Sequence, residues 1–274
     1  MAAIIETPAF KIHQITGYIC ELYIVEYPDR LLLLDGGCST DTSRISTYIT
    51  RHLKRSLADL RLVVVTHIHP DHAGGSDFFR KKGIPIAAPA GINQWYAGPG
   101  GFIQHKIDIC LSYLVVYLSR SPIKSLWYHR QVQATTDLFH KSRLPAFDDW
   151  TVICVPGHTW HDIALYHPDS GILYAGDTLI RVNGRFNLPF PVSYPDAMTH
   201  SLERLRYLPI RTALLAHGGM LSGDRFKAAG LEAVRTQHRP QRGVIGQIRF
   251  LAKFSPQAGL PAPRIRSTGH TFIS

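Results

Sequence analysis

The feature that most constrains the fold of this 274-residue chain is the stretch THIHPDHAGG at positions 66–75. It follows the apolar run at 60–65, which is typical of a buried β-strand. Three histidines and an aspartate are followed by two glycines, which permit a tight bend into a helix. Because imidazole nitrogen and carboxylate oxygen are good ligands for zinc and related divalent ions, the stretch predicts a metal site at a strand end.

The spacing within this stretch predicts two ligand directions. His67 and His69 are two positions apart, so on an extended chain their side chains point the same way. The chain must turn at Pro70, and Asp71 and His72 can then face a second position nearby.

Three more ligand-type residues occupy the same local setting. His158 in VPGHT, Asp177 in YAGDT and His217 in LLAHGG each follow an apolar strand and stand beside a glycine. Each alone is consistent with an ordinary loop residue, and Asp177 with a turn or a helix cap. Strand ends of a layered fold converge on one edge, so we expect one site, with Asp177 able to bridge two metals. The expected ligands are His67, His69, Asp71, His72, His158, Asp177 and His217.

Strands and helices alternate in two blocks, which predicts an α/β fold with two sheets packed face to face and helices outside. The predicted strands are residues 11–16, 19–27, 31–35, 60–66, 84–89, 150–157, 162–168, 171–177 and 211–219. The predicted helices are residues 41–56, 74–82, 195–208 and 224–238.

The two blocks are separated by a different segment, residues 91–147, which we interpret as an insertion that caps one domain of residues 1–238. Its stretch IDICLSYLVVYLS is apolar nearly all round, so we expect a buried helix or hairpin. One interpretation is a cap packed on the domain. The other is a lid over a channel for an acyl chain with an anionic head, its edge formed by Lys106, Arg120, Lys124 and Arg130.

The net charge of +10 comes from two segments, Gly101–Ala146 and Ala233–Ser274. The excess indicates a solvated surface with a loosely held basic tail at 239–274, or attraction to an anionic substrate, a nucleic acid or a membrane surface. No signal peptide or transmembrane run is apparent. The four cysteines are widely spaced without a CxxC, so we expect buried free thiols and a cytoplasmic location.

The motifs THIHPDHAGG, PGHT, AGDT and AHGG, in that order, resemble the metallo-β-lactamase superfamily, particularly glyoxalase II and the acyl-homoserine lactonases. The resemblance covers about residues 11–238 and implies a four-layer αβ/βα sandwich with two metal ions at one edge. Carried over, one metal is held by His67, His69 and His158, the second by Asp71, His72 and His217, and Asp177 bridges them. Zinc is the most frequent metal in the superfamily, and iron and manganese also occur.

The implied activity is hydrolysis of a small ester, thioester or lactone, with an acyl chain as one candidate feature of the substrate. Two divalent ions lower the pKa of a shared water toward about 7 and polarise the attacked carbonyl. Asp71 is the expected catalytic residue, orienting the water and passing its proton to the leaving group. The alternatives are a phosphodiesterase or nuclease acting on RNA or DNA, and a non-hydrolytic iron-dependent relative.

The sequence departs from the family pattern at three places. PGHT is followed by Trp160 and His161 instead of Pro-Gly. One interpretation is that Trp160 forms part of the pocket wall and His161 contacts the substrate; the other is a local loop substitution without a role in binding. The lactonase tyrosine after the bridging aspartate is missing, and Tyr194 is the available substitute. Glyoxalase II carries a helical C-terminal domain that binds glutathione, whereas about 36 residues without helical periodicity follow the last predicted helix here, so we do not expect a glutathione thioester as the substrate.

Overall fold

The computed structural model describes residues 3–182 and 184–236. The strands are β1 Ala3–Glu6, β2 Lys11–Thr16, β3 Glu21–Glu26, β4 Leu31–Leu34, β5 Leu60–Val64, β6 Ile86–Pro89, β7 Thr136–Leu138, β8 Arg143–Leu144, β9 Phe147–Cys154, β10 Ile163–His167, β11 Ile172–Tyr174, β12 Ile180–Val182, β13 Arg185–Asn187, β14 Thr212–Leu215 and β15 Gly219–Ser222. The helices are α1 Thr42–Thr47, α2 Pro70–Ala73, α3 Ser76–Lys81, α4 Gly98–Leu118, α5 Pro195–Arg206 and α6 Gly223–Thr236.

Two sheets form the centre of the fold. The first has seven strands in the order β1 to β7; its first four are antiparallel and β4 to β7 run parallel. The second has six strands in the order β15-β14-β11-β10-β9-β8, with β11 and β14 parallel. The short hairpin β12–β13 lies beside them as a separate pair. Parallel strands place their carboxyl ends at one edge, where the predicted ligands follow.

Alternation along the strands of the second sheet shows how the layers pack. On β11, Ile172 and Tyr174 belong to the core cluster shared with the first sheet. Leu173, between them, belongs to a second cluster with Met198 of α5 and Phe226 of α6. Because side chains alternate across a strand, one face of this sheet packs on the first sheet and the other on helices. The predicted four-layer sandwich is confirmed.

The helices match the prediction with different boundaries. The predicted helix at 41–56 is α1 followed by wider turns at Tyr48–His52, and the predicted helix at 74–82 is divided into α2 and α3. The helix is broken between α2 and α3 where Gly74 and Gly75 pack closely on a neighbouring loop. The strands β1, β7, β8, β12, β13 and β15 were not predicted, because all six are four residues or fewer and too short to show a full alternation.

The inserted segment 91–147 contains one long helix, α4, and two strands that pair with the sheets. β7 extends the first sheet beside β6, and β8 pairs with β9 in the second. The part that covers the site is therefore α4 and the loop after it. The expectation that the apolar stretch is buried is wrong for one side of the helix: Cys110 and Tyr117 are exposed.

Three further predictions from the sequence concern membrane-spanning helices, the cysteines and the basic tail. Within residues 3–182 and 184–236, no helix has both the length and the apolar character needed to cross a bilayer. All four cysteines are free; Cys20 and Cys38 are buried as expected, but Cys110 is exposed and Cys154 is half-buried. The predicted basic tail at 239–274 lies outside the described residues.

Candidate metal centre

Strand ends from both sheets bring the seven predicted ligands to one edge of the sandwich. His67 and His69 lie in the loop after β5, and Asp71 and His72 in the short helix α2 that follows. The other three follow strands of the second sheet: His158 comes after β9, Asp177 after β11 and His217 after β14.

The seven residues form three groups whose ligand atoms lie within 4.8 Å of one another: His67, His69 and His158; His67, His72 and Asp177; and Asp71, His72 and His217. The first and third groups coincide with the two ligand sets that the resemblance implies. Each ligand set draws on both sheets, since His158 and His217 come from the second.

Asp177 lies between the two ligand sets. Its Oδ2 is 3.6 Å from His158 Nε2 in the first set, and its Oδ1 is 3.3 Å from His72 Nε2 and 3.5 Å from His217 Nε2 in the second. Asp71 Oδ2 lies 3.1 Å from His217 Nε2. A carboxylate with one oxygen toward each set has the geometry needed to bridge two cations.

Partners outside the ligand groups orient the histidine rings. His72 Nδ1 donates to Asp35 Oδ2 at 2.8 Å, and His158 Nδ1 donates to the backbone carbonyl of Pro191. His69 places Nδ1 2.8 Å from His158 Nε2 and Nε2 3.5 Å from Asp108 Oδ2. These contacts leave Nε2 of His72, Nε2 of His158 and Nδ1 of His69 facing the centre, as in metal sites with oriented imidazoles.

Asp35 is a buried residue that the sequence analysis missed. Its carboxylate accepts hydrogen bonds from the Thr66 backbone N–H at 2.6 Å, the Thr66 hydroxyl at 2.7 Å, His72 Nδ1 at 2.8 Å and the Tyr174 hydroxyl at 2.7 Å. It follows β4 with φ +70° and therefore ties the ends of β4, β5 and β11 together behind His72. The signal was present in LLLLDGG, an aspartate between an apolar strand and two glycines.

Asp108 is a second missed residue, and it comes from the inserted helix α4. Its Oδ1 accepts from Gln104 Nε2 at 2.8 Å, and its Oδ2 accepts from the Tyr96 hydroxyl at 2.9 Å. Tyr128 donates to the Ile68 carbonyl, between His67 and His69. The helix is thus linked by buried polar contacts to the ligand loop, and a single aspartate within an apolar stretch was its only sequence signal.

Burial and the clustered carboxylates shift the pKa values at the centre. Burial lowers the pKa of His67 well below its usual range, with His72 and His69 adding to the effect. Burial also opposes protonation of His72, but Asp177, Asp35 and Asp71 outweigh it and raise its pKa well above the usual range. Burial alone raises the pKa of Asp71, yet His72 and His217 lower it to about 2. The carboxylates therefore favour positive charge at His72, whereas burial and the neighbouring histidines oppose a proton on His67.

Four buried atoms of the predicted ligand residues make no hydrogen bond: His67 Nε2, His69 Nε2, His72 Nε2 and Asp177 Oδ1. A buried polar atom without a partner costs about 1–3 kcal/mol. The atoms on His67, His72 and Asp177 belong to one ligand group. Divalent cations prefer these nitrogen and oxygen donors, so the residues present fit a metal centre.

A cavity of about 710 Å³ opens at the ligands and includes His69, Asp71, His158, Asp177 and His217 in its lining. Its apolar wall comes from three places: the loop before β3, one side of α4, and the region of β12 with the loop after β13. The apolar lining residues are Ile19, Leu111, Val115, Leu118, Ile180, Val182, Pro189, Phe190 and Pro191. The expected basic edge of Lys106, Arg120, Lys124 and Arg130 is wrong for this cavity, whose lining contains Arg181 instead.

The three predicted substrate contacts lie outside the cavity lining. The rings of Trp160 and Tyr194 contact each other with centroids 5.4 Å apart, and Tyr194 also contacts Trp95, which lies beside His69. His161 is buried, and burial lowers its pKa to about 4. Trp160 and Tyr194 are thus linked through Trp95 to His69 of the ligand loop. Substrate contact by Trp160, His161 and Tyr194 stays a prediction, and the lining of the cavity does not support it.

Two glycine pairs bring the ligand loop against the end of β4. Gly36 N–H donates to the His72 carbonyl at 2.8 Å, and Gly75 N–H donates to the Gly37 carbonyl at 2.9 Å. A Cβ on Gly75 would lie 2.3 Å from the Gly36 carbonyl oxygen, so one of the two backbone segments would have to move. The glycines after the motif therefore serve close packing as well as chain turning.

We expect Gly75→Ala to lower the free energy of unfolding by about 2–3 kcal/mol because of this overlap. The same change at Gly230, within α6, meets only Leu202 at an ordinary 3.4 Å and is expected to raise stability by up to about 1 kcal/mol. Urea unfolding of both variants in chelator measures the two effects. Equal effects of the two substitutions would contradict the close packing described for Gly75.

Comparison with known proteins agrees with this geometry. The family model described as "Metallo-beta-lactamase superfamily" matches residues 15–217. The "Probable metallo-hydrolase YflN" of Bacillus subtilis is 26% identical over 79% of this chain and 87% of its own length. A "Hydroxyacylglutathione hydrolase" of Pseudomonas savastanoi is 41% identical over 69% of this chain, which spans 58% of that relative's length.

Solved structures show the same fold. The metallo-β-lactamase FIM-1 from Pseudomonas aeruginosa, crystallised in a mono-zinc form, has a TM-score of 0.62 at 20% identity, covering 87% of this chain and 97% of that one. A metallo-β-lactamase from Pontibacter korlensis has a TM-score of 0.60 at 16% identity, covering 86% and 100%. With the family model matched over most of its length, the chain belongs to the metallo-β-lactamase superfamily and is a hydrolase of the αβ/βα fold.

Proposed function

We propose that the centre binds two divalent metal ions, with zinc as the resident metal. His67, His69 and His158 hold one ion, Asp71, His72 and His217 hold the other, and Asp177 bridges them. Support comes from the two compact ligand sets, the unpartnered buried atoms between them, and the position of Asp177 with one oxygen toward each set. When bound, such ions supply Lewis acidity toward a carbonyl oxygen and lower the pKa of water.

The proposed reaction is hydrolysis of a small carboxylic ester, thioester or lactone. Asp71 is the catalytic residue; its carboxylate lies in the cavity lining, next to the centre, where it accepts a proton from the attacking water and returns it to the leaving oxygen or sulfur. Asp35 and Asp108 act on the rings of His72 and His69 and are positioning residues. Thr66 links Asp35 to His67, since its hydroxyl lies 3.2 Å from His67 Nδ1.

The cavity is the observation that favours an acyl substrate. Its wall is largely apolar, and Leu111, Val115 and Leu118 of α4 form one side. About 710 Å³ is within the range of pockets that enclose small organic ligands. Arg181 in the lining suits an anionic group on the substrate. The nuclease alternative has less support, because the cations of the inserted segment do not line this cavity.

The test begins with metal analysis of purified protein and continues with a hydrolase panel at a fixed salt concentration. The panel contains acyl thioesters of rising chain length, S-lactoylglutathione, lactones and bis-p-nitrophenyl phosphate. We expect two metal equivalents and turnover of one carboxylic acid derivative, with kcat/KM rising about threefold per added methylene until the cavity is full. Turnover of the phosphodiester alone, or a single iron with oxygen consumption, would replace the proposal by one of the alternatives.

Chain-length dependence should come from the α4 wall. Val115→Ala enlarges the cavity and is expected to shift the preferred acyl chain to greater length. Leu114→Ala is the matched control, because Leu114 is the preceding residue of the same helix and does not line the cavity. An identical chain-length profile in wild type and both variants would remove α4 from substrate binding.

A further inference from the structure

The helix α4 buries polar side chains together with apolar ones, and it leaves other apolar side chains exposed. Gln104, His105 and Asp108 are buried against the site, whereas Ile103 is 53% exposed and Tyr117 is 70% exposed. A helix on the surface of a globular protein ordinarily packs its apolar side on the core. The buried polar side chains are explained by the contacts of Asp108 near the metal centre. The exposed apolar side has no such partner among the described residues.

The exposed side continues beyond the helix. Trp127, in the loop after α4, is 60% exposed, and the Lys106 ammonium lies 3.7 Å from the centroid of its ring. Phe102 is 51% exposed, and the centroid of its ring lies 5.1 Å from the same ammonium. We call the surface formed by Phe102, Ile103, Lys106, Tyr117 and Trp127 the apolar–basic face. Exposed apolar surface of this kind marks an interaction site.

The sign of the charge indicates which partner covers this face. Between residues 98 and 134 the cations are Lys106, Arg120, Lys124 and Arg130, and the only acidic residue is the buried Asp108. Two copies of the face would meet with like charges, which opposes self-association. A bilayer containing anionic lipid matches both properties, because headgroups pair with the cations while apolar side chains enter the boundary below them. Tryptophan and tyrosine are typical of that boundary.

We propose that the apolar–basic face docks on the surface of a bilayer rich in anionic phospholipid, with α4 parallel to the membrane plane. The edge of α4 formed by Leu111, Val115 and Leu118 lines the cavity, so docking places the cavity beside the lipid. An apolar molecule can then pass between the bilayer and the site without crossing water. The proposal does not depend on the reaction that the site catalyses, and its test uses no substrate.

The experiment is co-sedimentation of the full chain with vesicles of phosphatidylcholine alone and of phosphatidylcholine mixed with an equal part of phosphatidylglycerol. We expect binding to the anionic vesicles at least about tenfold tighter than to the neutral ones. Trp127 adds a second readout: its fluorescence should shift to shorter wavelength on binding and be quenched by brominated lipid. The shift should be lost in Trp127→Ser, because two of the other tryptophans, Trp95 and Trp150, are buried.

Variants test whether vesicle binding depends on the apolar–basic face or on other basic residues of the chain. Ile103→Ser with Trp127→Ser leaves the net charge unchanged and is expected to weaken binding about tenfold. Lys106→Gln is expected to weaken binding about fivefold. Tyr207→Ser is the matched control, since Tyr207 is 79% exposed directly after α5, away from the face, and this variant should bind like wild type. Circular dichroism and the melting temperature show that the variants are folded.

Three results would overturn the proposal. The first is absence of wild-type binding to anionic vesicles. The second is wild-type affinity in the Ile103→Ser, Trp127→Ser variant, which would place the contact on another basic part of the chain. The third is a wild-type dimer in light scattering that Ile103→Ser converts to a monomer, which would identify a second copy of the chain as the occupant.

Discussion

Asp177→Asn should reduce kcat/KM by about a thousandfold and lower the bound metal by at least one equivalent. The substitution keeps the shape of the side chain but removes the negative charge between His158 on one side and His72 and His217 on the other. An amide cannot supply an anionic oxygen to each ligand set. Two cations held by these neighbouring sets would then repel each other without a negative charge between them. Metal analysis after exhaustive dialysis and kinetics on the active panel substrate measure both effects.

The control for this variant is Asp196→Asn, the same chemical change at an exposed carboxylate in the first turn of α5. It should keep the wild-type metal content and change kcat/KM by no more than about twofold. A near-native circular dichroism spectrum of Asp177→Asn separates loss of the centre from loss of the fold. Two bound metals and wild-type turnover in Asp177→Asn would refute the bridging role.

Asp35→Asn should weaken metal binding about 10- to 100-fold and destabilise the metal-free protein by about 2–4 kcal/mol. The carboxylate accepts four hydrogen bonds from N–H and O–H groups of Thr66, His72 and Tyr174. The NH2 group of asparagine cannot accept a hydrogen bond, so it would face at least one of these donors without pairing. Asparagine tolerates the positive φ of +70° at this position at least as well as aspartate, so the backbone is preserved. Chelator competition with the folded protein and urea unfolding of the apoprotein measure the two effects separately.

The matched control is Asp169→Asn, an exposed aspartate in the turn between β10 and β11, where both quantities should equal those of wild type. The affinity measurement distinguishes a positioning role from a purely structural one, because only the former depends on the orientation of the His72 ring. If Asp35→Asn lost stability and bound metal with wild-type affinity, Asp35 would be a structural residue alone.

The predicted metal ligands were easier to find from the sequence than the residues that orient them. His67, His158 and His217 could be found because each follows an apolar strand, and strand ends in an α/β sandwich converge regardless of the exact length of each element. The four-layer arrangement followed from the same alternation. These inferences depend on local pattern and on a topological rule, and both operate without knowledge of side-chain contacts.

Residues that act through other residues could not be identified in the same way. Asp108 is separated from His69 by 39 positions and reaches it only because α4 lies across the cavity. The exposure of one side of α4 was not predicted either: a stretch that is apolar on nearly all sides does not show which side faces the domain, and the buried contacts of one aspartate decide it. Cys110 is exposed for the same reason, since it lies on the outer side of that helix.

The division of the ligands between two sheets has a consequence for assembly of the native state. His67, His69, Asp71 and His72 come from the first half of the chain, and His158, Asp177 and His217 from the second. Neither half alone contains either complete set of predicted ligands, so binding of metal and docking of the halves would form one thermodynamic cycle. A metal ion that binds only the assembled protein would therefore shift the folding equilibrium toward the native state by mass action. A reversible cross-link between the two halves would have the same effect.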